Sequence, residues 1–344
     1  MAYTTINKSS NFFNTKLISG NGGTQSLTGV GFKPDFTWIK SRSRADPHSL
    51  TDIVRGVASQ LDSSLAGVPT THSDAITSFN SDGFSLGSQA DVNRSSTTFV
   101  SWNWLAGGSQ GSSNTDGSIN TTYTSVSTTA GFSISKYTGT GSTGTIGHGL
   151  GAEPEVIIVK KLNSSESWFS YHKPLGNTGR LVLNTTDAVA NDAGYWNSTT
   201  PTSSVFSVTS NGSNNASNDI YMAYCFAPKT GYSKFGSYVG NDNNDGTFVY
   251  TGFKPAFVII KKTNEANDWF IQDNKRLGYN AANYYLEANT NLAEQSYSDI
   301  DLVSNGFKCR STGGGHNDGN YIYMAFAEAP LVGGTGAGVP CTAR

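Results

Sequence analysis

Five histidines, His48, His72, His148, His172 and His316, are where an acid–base or nucleophilic mechanism near neutral pH would begin. They occupy unmatched places in the chain and no Gly-x-Ser-x-Gly elbow accompanies them, so they read as surface or loop residues. A glycosidase needs two carboxylates facing one cleft, whereas Asp46, Asp52, Glu155, Asp268 and Glu287 are scattered. Gly139, Gly141 and Gly144 spell G-x-G-x-x-G, but the following Thr145-Ile146-Gly147-His148-Gly149 does not open a helix, so the motif reads as a hairpin loop. Residues 241–246, NDNNDG, begin like a calcium loop, yet Gly252 stands where a bidentate Glu would be needed. A turn is the preferred reading there, with a looser surface calcium site as the alternative. Cys225, Cys309 and Cys341 lack C-x-x-C spacing and read as free thiols. No catalytic residue, metal or cofactor is expected.

Binding is better supplied. Basic residues recur just past an apolar run: Lys40, Arg42 and Arg44, then Lys160 and Lys161, then Lys261 and Lys262. Exposed cations there would attract an anionic surface polysaccharide, and an indole face offers a sugar ring a large apolar surface with little entropy to lose. The candidate ligand-binding set is therefore Trp168, Trp269, Lys161, Lys262, Arg42 and Arg44. The competing reading, preferred for both tryptophans, is that matched aromatics fill matched holes while the cations solubilise strand ends.

The elements that must carry these residues recur along the chain. GFKPDFTWIK at 31–40, LGAEPEVIIVK at 150–160 and GFKPAFVIIK at 252–261 are the clearest copies. His48, Trp168 and Trp269 each lie 14 residues after Pro34, Pro154 and Pro255 (48 − 34, 168 − 154, 269 − 255). Gly56, Gly176 and Gly278 follow, and a closing aromatic run places Trp102, Tyr224 and Phe326 in register. These markers predict β repeats over 12–108, 131–229 and 230–330, with an N-terminal segment 1–11, a Gly/Ser linker 109–130, a flexible connector at 107–116 that overlaps its start, and a tail 331–344.

Within each repeat, short β-branched runs bounded by Pro and Gly read as buried strands, and Asp82-Gly83, Asp245-Gly246 and Asn305-Gly306 as hairpin turns. The uniformly apolar run 220–226 predicts a central strand between two layers. The expected fold class is all-β: three tandem β-sandwich (jelly-roll-like) repeats. Only residues 50–61 offer a helical turn or two.

Composition excludes other classes. Charged residues are 14%, too few for long amphipathic helices or coiled coils, and 23 basic against 25 acidic residues leave no footprint for nucleic acid. No run approaches the roughly 20 apolar residues of a membrane span, and no signal-peptide core is visible, so a soluble protein is expected.

GFKPDFTWIKSRS at 31–43, His48 with Asp52-Ile53-Val54-Arg55-Gly56, FNSDGFSLGS at 79–88 and FVSWNWLAGG at 99–108 together resemble a module of tail-fibre-like and other virion structural proteins of marine bacteriophages. The closing VPCTAR is similar to chain ends in such proteins. Repeat one carries the resemblance most fully; repeats two and three replace WNW by AYCF and AFAE. The resemblance implies a non-enzymatic particle component assembled in the host cytoplasm, most simply a tail fibre or appendage that contacts the host surface. A capsid decoration protein and a polysaccharide depolymerase are the alternatives. Other virion proteins, further copies of the chain and a host-surface glycan are the implied partners, with the first twenty residues or 330–344 as the expected junction.

Overall fold

The computed structural model describes residues 4–276, 280, 282–313 and 315–330. The chain is all-β, and three of its sheets contain the same order of four strands. In the first, Phe13–Ser19 pairs with Thr98–Trp104, which pairs with Phe36–Ser41, which pairs with Ser49–Asp52. In the second the corresponding order is Phe132–Thr138, Ile220–Phe226, Val156–Lys161 and Phe169–His172. In the third it is Ser233–Val239, Asn320–Pro330, Phe253–Lys262 and Trp269–Asp273. All these pairs are antiparallel, and in each sheet the last strand in sequence lies next to the strand that follows the Lys-Pro or Glu-Pro pair.

That central position explains the apolar run of Ile220–Phe226. A strand flanked on both edges and covered on both faces has no wet side. Met222, Tyr224 and Phe226 join one apolar cluster, while the alternating Tyr221, Ala223 and Cys225 join another. The first cluster is shared by all three sheets: Phe13 stacks on Phe326, Phe36 meets Phe132 and Tyr224, and Phe226 meets Phe235 and Phe326. The three sheets thus form the walls of a prism around a common aromatic core. The outward faces of the walls are covered by further strands with their own apolar clusters, which for the third wall are the far end of its own eight-stranded sheet. These are Gln25–Leu27 with Gly83–Leu86 and Ile76–Asn80, Gly144–Gly147 with Val205–Val208, and Phe248–Tyr250 with Gly306–Cys309 and Gln295–Val303. The local architecture is sandwich-like, sheet upon sheet.

Several expectations are corrected. Residues 107–116 are not a flexible connector: Gly107 N–H donates to Ser125 Oγ at 3.0 Å and Ser112 bridges Thr124. Gly111 has φ of +78°, and a Cβ there would lie 1.9 Å from the Thr124 carbonyl oxygen, so only glycine fits. The rest of 109–130 contains a strand, Thr121–Ser127, added to the edge of the second sheet. Residues 50–61 hold no helix, because Asp52 Oδ1 takes the N–H groups of Val54 and Arg55 and closes a turn instead. Helical turns occur at Ser9–Asn11, Ala90–Asn93, Lys173–Leu175, Ala193–Trp196 and Gly212–Asn215.

The aromatic register shifts as well. Trp38 pairs with Trp102, Ile158 with Tyr224 and Ile259 with Met324, so Met324, not Phe326, corresponds to Trp102 and Tyr224. Phe326 corresponds to Trp104 and Phe226. Gly278, Cys341 and the 331–344 tail lie outside the described residues, as do residues 1–3.

Candidate functional site

The strand after each Lys-Pro or Glu-Pro pair delivers a lysine to the end of the prism wall, and all three lysines are buried: Lys40, Lys160 and Lys261. Each ammonium is caged by carbonyl oxygens, one of which belongs to the neighbouring sheet's part of the chain. Lys40 Nζ donates to Ser41 O (3.0 Å), Arg44 O (3.4 Å) and Asn291 O (3.2 Å). Lys160 Nζ donates to Lys161 O (2.8 Å), Glu166 O (2.9 Å) and Ala66 O (3.2 Å). Lys261 Nζ donates to Lys262 O (2.8 Å) and Thr186 O (3.1 Å). Burial brings each pKa down to about 8, since carbonyl dipoles replace only part of the lost hydration.

The residue 14 positions after each proline makes a second clasp in the same direction. His48 Nε2 donates to Glu287 O and Thr290 O, while its Nδ1 accepts from Trp38 Nε1 at 2.8 Å. Trp168 Nε1 donates to Asp62 O (3.0 Å) and Leu65 O (3.1 Å), and Trp269 Nε1 to Val182 O (3.1 Å). A third clasp sits where the second strand of each pair ends. Tyr224 Oη donates to Asp52 Oδ2 (2.7 Å), which also receives Arg55 Nε (2.6 Å). Trp102 Nε1 donates to Asp273 Oδ2 (3.0 Å), which receives Arg276 Nε (2.7 Å). In the second sheet His172 stands in the aspartate's place and its Nε2 donates to Tyr323 O (3.1 Å). The first sheet thus grips the third, the second grips the first, and the third grips the second.

These contacts settle where the six binding candidates lie. Trp168 and Trp269 are buried in the shared core, with no face open to a sugar ring. Arg42 crosses to the third sheet and holds Glu294 through Nε (3.0 Å) and Nη2 (2.9 Å). Lys161 pairs with Asp219 at 2.5 Å, and Lys262 with Glu265 at 2.6 Å and Asp318 at 3.1 Å. Arg44 alone is more than half exposed, 3.7 Å from Asp46. They do not converge on one surface, and their charge is spent on carboxylates of the same chain.

The histidines also depart from expectation, because His48, His148, His172 and His316 are all buried and only His72 is partly open. Burial lowers the imidazole pKa to about 3 for His48 and His316, to about 4 for His172, and in the same direction for His148. All four are neutral at pH 7. Residues 241–246 form a turn in which Asn241 Oδ1 and Asn243 Oδ1 accept backbone N–H groups and Asp245 pairs with Lys308. No group of three or more His, Cys, Asp or Glu is placed to hold a metal ion among the described residues. Of the G-x-G-x-x-G glycines, Gly139 and Gly141 fall in the loop after Phe132–Thr138 and Gly144 opens the strand Gly144–Gly147. No helix among the described residues is long and apolar enough to cross a membrane.

Sequence reasoning missed a set of three. Asn93, Asn215 and Asn317 are fully buried and fasten equivalent loops: Oδ1 accepts the N–H of Asn21, Thr140 and Asn241 in turn. Each Nδ2 donates to two carbonyls: Gly23 and Gly87, Ser142 and Thr209, Asn243 and Ser311. Their signal was an asparagine 59, 61 and 62 residues after Pro34, Pro154 and Pro255 (93 − 34, 215 − 154, 317 − 255).

Residues 8–330 match the model of a domain of unknown function, DUF7483. The chain belongs to this family. One match spans all three walls of the prism, in keeping with their shared core. No curated protein and no solved structure matches.

Proposed function

We propose that this chain is a non-enzymatic structural component of a bacteriophage particle, built from three copies of one β module, and that it works in a tail fibre or appendage contacting the host surface. The observation that carries the proposal is the use made of its chemically capable side chains. The buried lysines, Trp168, Trp269, His48 and the Asp52–Arg55 and Asp273–Arg276 pairs hold one wall to the next, which makes a brace. The resemblance of residues 31–43, 79–88 and 99–108 to virion modules supplies the setting. Of the six candidates for glycan contact, Trp168 and Trp269 are closed to a sugar ring and Arg44 is the one more than half exposed.

Immunogold labelling of purified particles tests the reading. Label on the tail or its appendages is expected; label over the head would favour a decoration protein, and unlabelled particles would end the virion assignment. Release of reducing ends from host polysaccharide by the purified protein would instead make it a depolymerase.

A further inference from the structure

The common core is not filled. Between the three walls lies a cavity that offers about 40 Å³ to the centre of a water-sized sphere, more than a single water needs in order to fit. Its lining comes from all three sheets, and no polar atom is exposed to it. The Tyr224 hydroxyl turns away to Asp52, and the indole N–H groups of Trp38, Trp168 and Trp269 are engaged. The room has a local cause. At the matched positions Trp38, Ile158 and Ile259, two branched aliphatic side chains stand where the first sheet has an indole, and all three line the void.

We propose that this cavity is a binding site for one small apolar molecule, of the size class of xenon or dioxygen. A water inside would give up its hydrogen bonds to an aromatic wall, whereas an apolar guest restores the dispersion contacts that the void forfeits. The Trp104 indole N–H has no protein partner but is covered in this packing, so a water that reached it by a shift of the ring is the competing occupant.

The probe is xenon, added to the full-length chain and followed by xenon NMR and by anomalous scattering from pressurised crystals. One saturable site per chain is expected, centred among Trp38, Ile158 and Ile259, with no water there before pressurisation. Ile158→Phe, which adds bulk to the void, should reduce occupancy at least tenfold. Ile158→Val, which enlarges it, should retain the site and covers the case in which the larger side chain prevents folding. An ordered water bonded to Trp104, an absence of saturable binding in the unaltered chain, or undiminished binding in a folded Ile158→Phe protein would each overturn the proposal.

Discussion

Neutral imidazoles buried in a fold leave a signature in acid. For His48, His172 and His316 the folded pKa lies at about 3, about 4 and about 3, and His148 shifts the same way, while an unfolded histidine titrates near 6.5. The unfolded chain therefore binds protons first as pH falls. Stability from these groups is complete above about pH 6.5 and drains away toward pH 4, at up to about 1.4 kcal/mol per pH unit for each ring. Asp35, Asp62 and Glu287, whose carboxyls burial pushes upward, offset part of the loss. Urea midpoints should be clearly lower at pH 5 than at pH 7, and His172→Gln should flatten that difference; a midpoint independent of pH would mean the rings are solvated. At the caged lysines, Lys160→Met removes the ammonium from three carbonyls, of which Ala66 O keeps the Glu166 N–H and Ser165 Oγ, and is expected to cost about 2–3 kcal/mol, measured by the same titration. Lys161→Met, which loses the rim contacts to Asp219 and Gly212 O, should cost much less. Nothing in the sequence separates Lys160 from Lys161, because the two differ only in the strand face they occupy, and period-two alternation decides that after the register is known.

At the scale of elements, the strands were legible and their fastenings were not. Phe36–Ser41, Val156–Lys161 and Phe253–Lys262 announce themselves by proline followed by branched and aromatic residues, a local pattern that strand geometry favours. The loop asparagines act through contacts 72 to 76 residues away in the chain, and an Asn in an Asn/Ser-rich sequence carries no mark of burial. The aromatic register slipped for a related reason: Met324 and Phe326 are both apolar and two apart, so they share a face and only pairing with Ile259 or Phe257 tells them apart. Asn215→Ala should leave the Thr140 N–H and the Thr209 carbonyl without the side-chain partner they have now, while Ser142 O keeps Thr140 Oγ1, and cost about 2 kcal/mol. Hydrogen exchange at the Thr140 amide offers a direct reading, and protection equal to that of the unaltered chain would refute the role assigned to the asparagine.

For the whole molecule, a core common to three walls predicts one unfolding event. Calorimetry should give a single transition whose van't Hoff and calorimetric enthalpies agree, and residues 131–229 expressed alone should fail to fold, because Phe132, Tyr224 and Phe226 would face water in place of Phe36 and Phe326. Three separable transitions would show that the walls are stable singly. Sequence markers divided the chain into thirds, yet cohesion resides in contacts between thirds, which no marker within one of them records. The ring of clasps also places Thr4 beside Pro330: both pack against Gly231, and Thr4 Oγ1 donates to Thr230 O at 2.6 Å. A closed ring has no first member. Joining Pro330 to Thr4 by a short peptide and opening the chain at 229–230 should yield a circular permutant with the same walls in a different order of synthesis, since every contact that defines the prism is indifferent to which third the ribosome makes first.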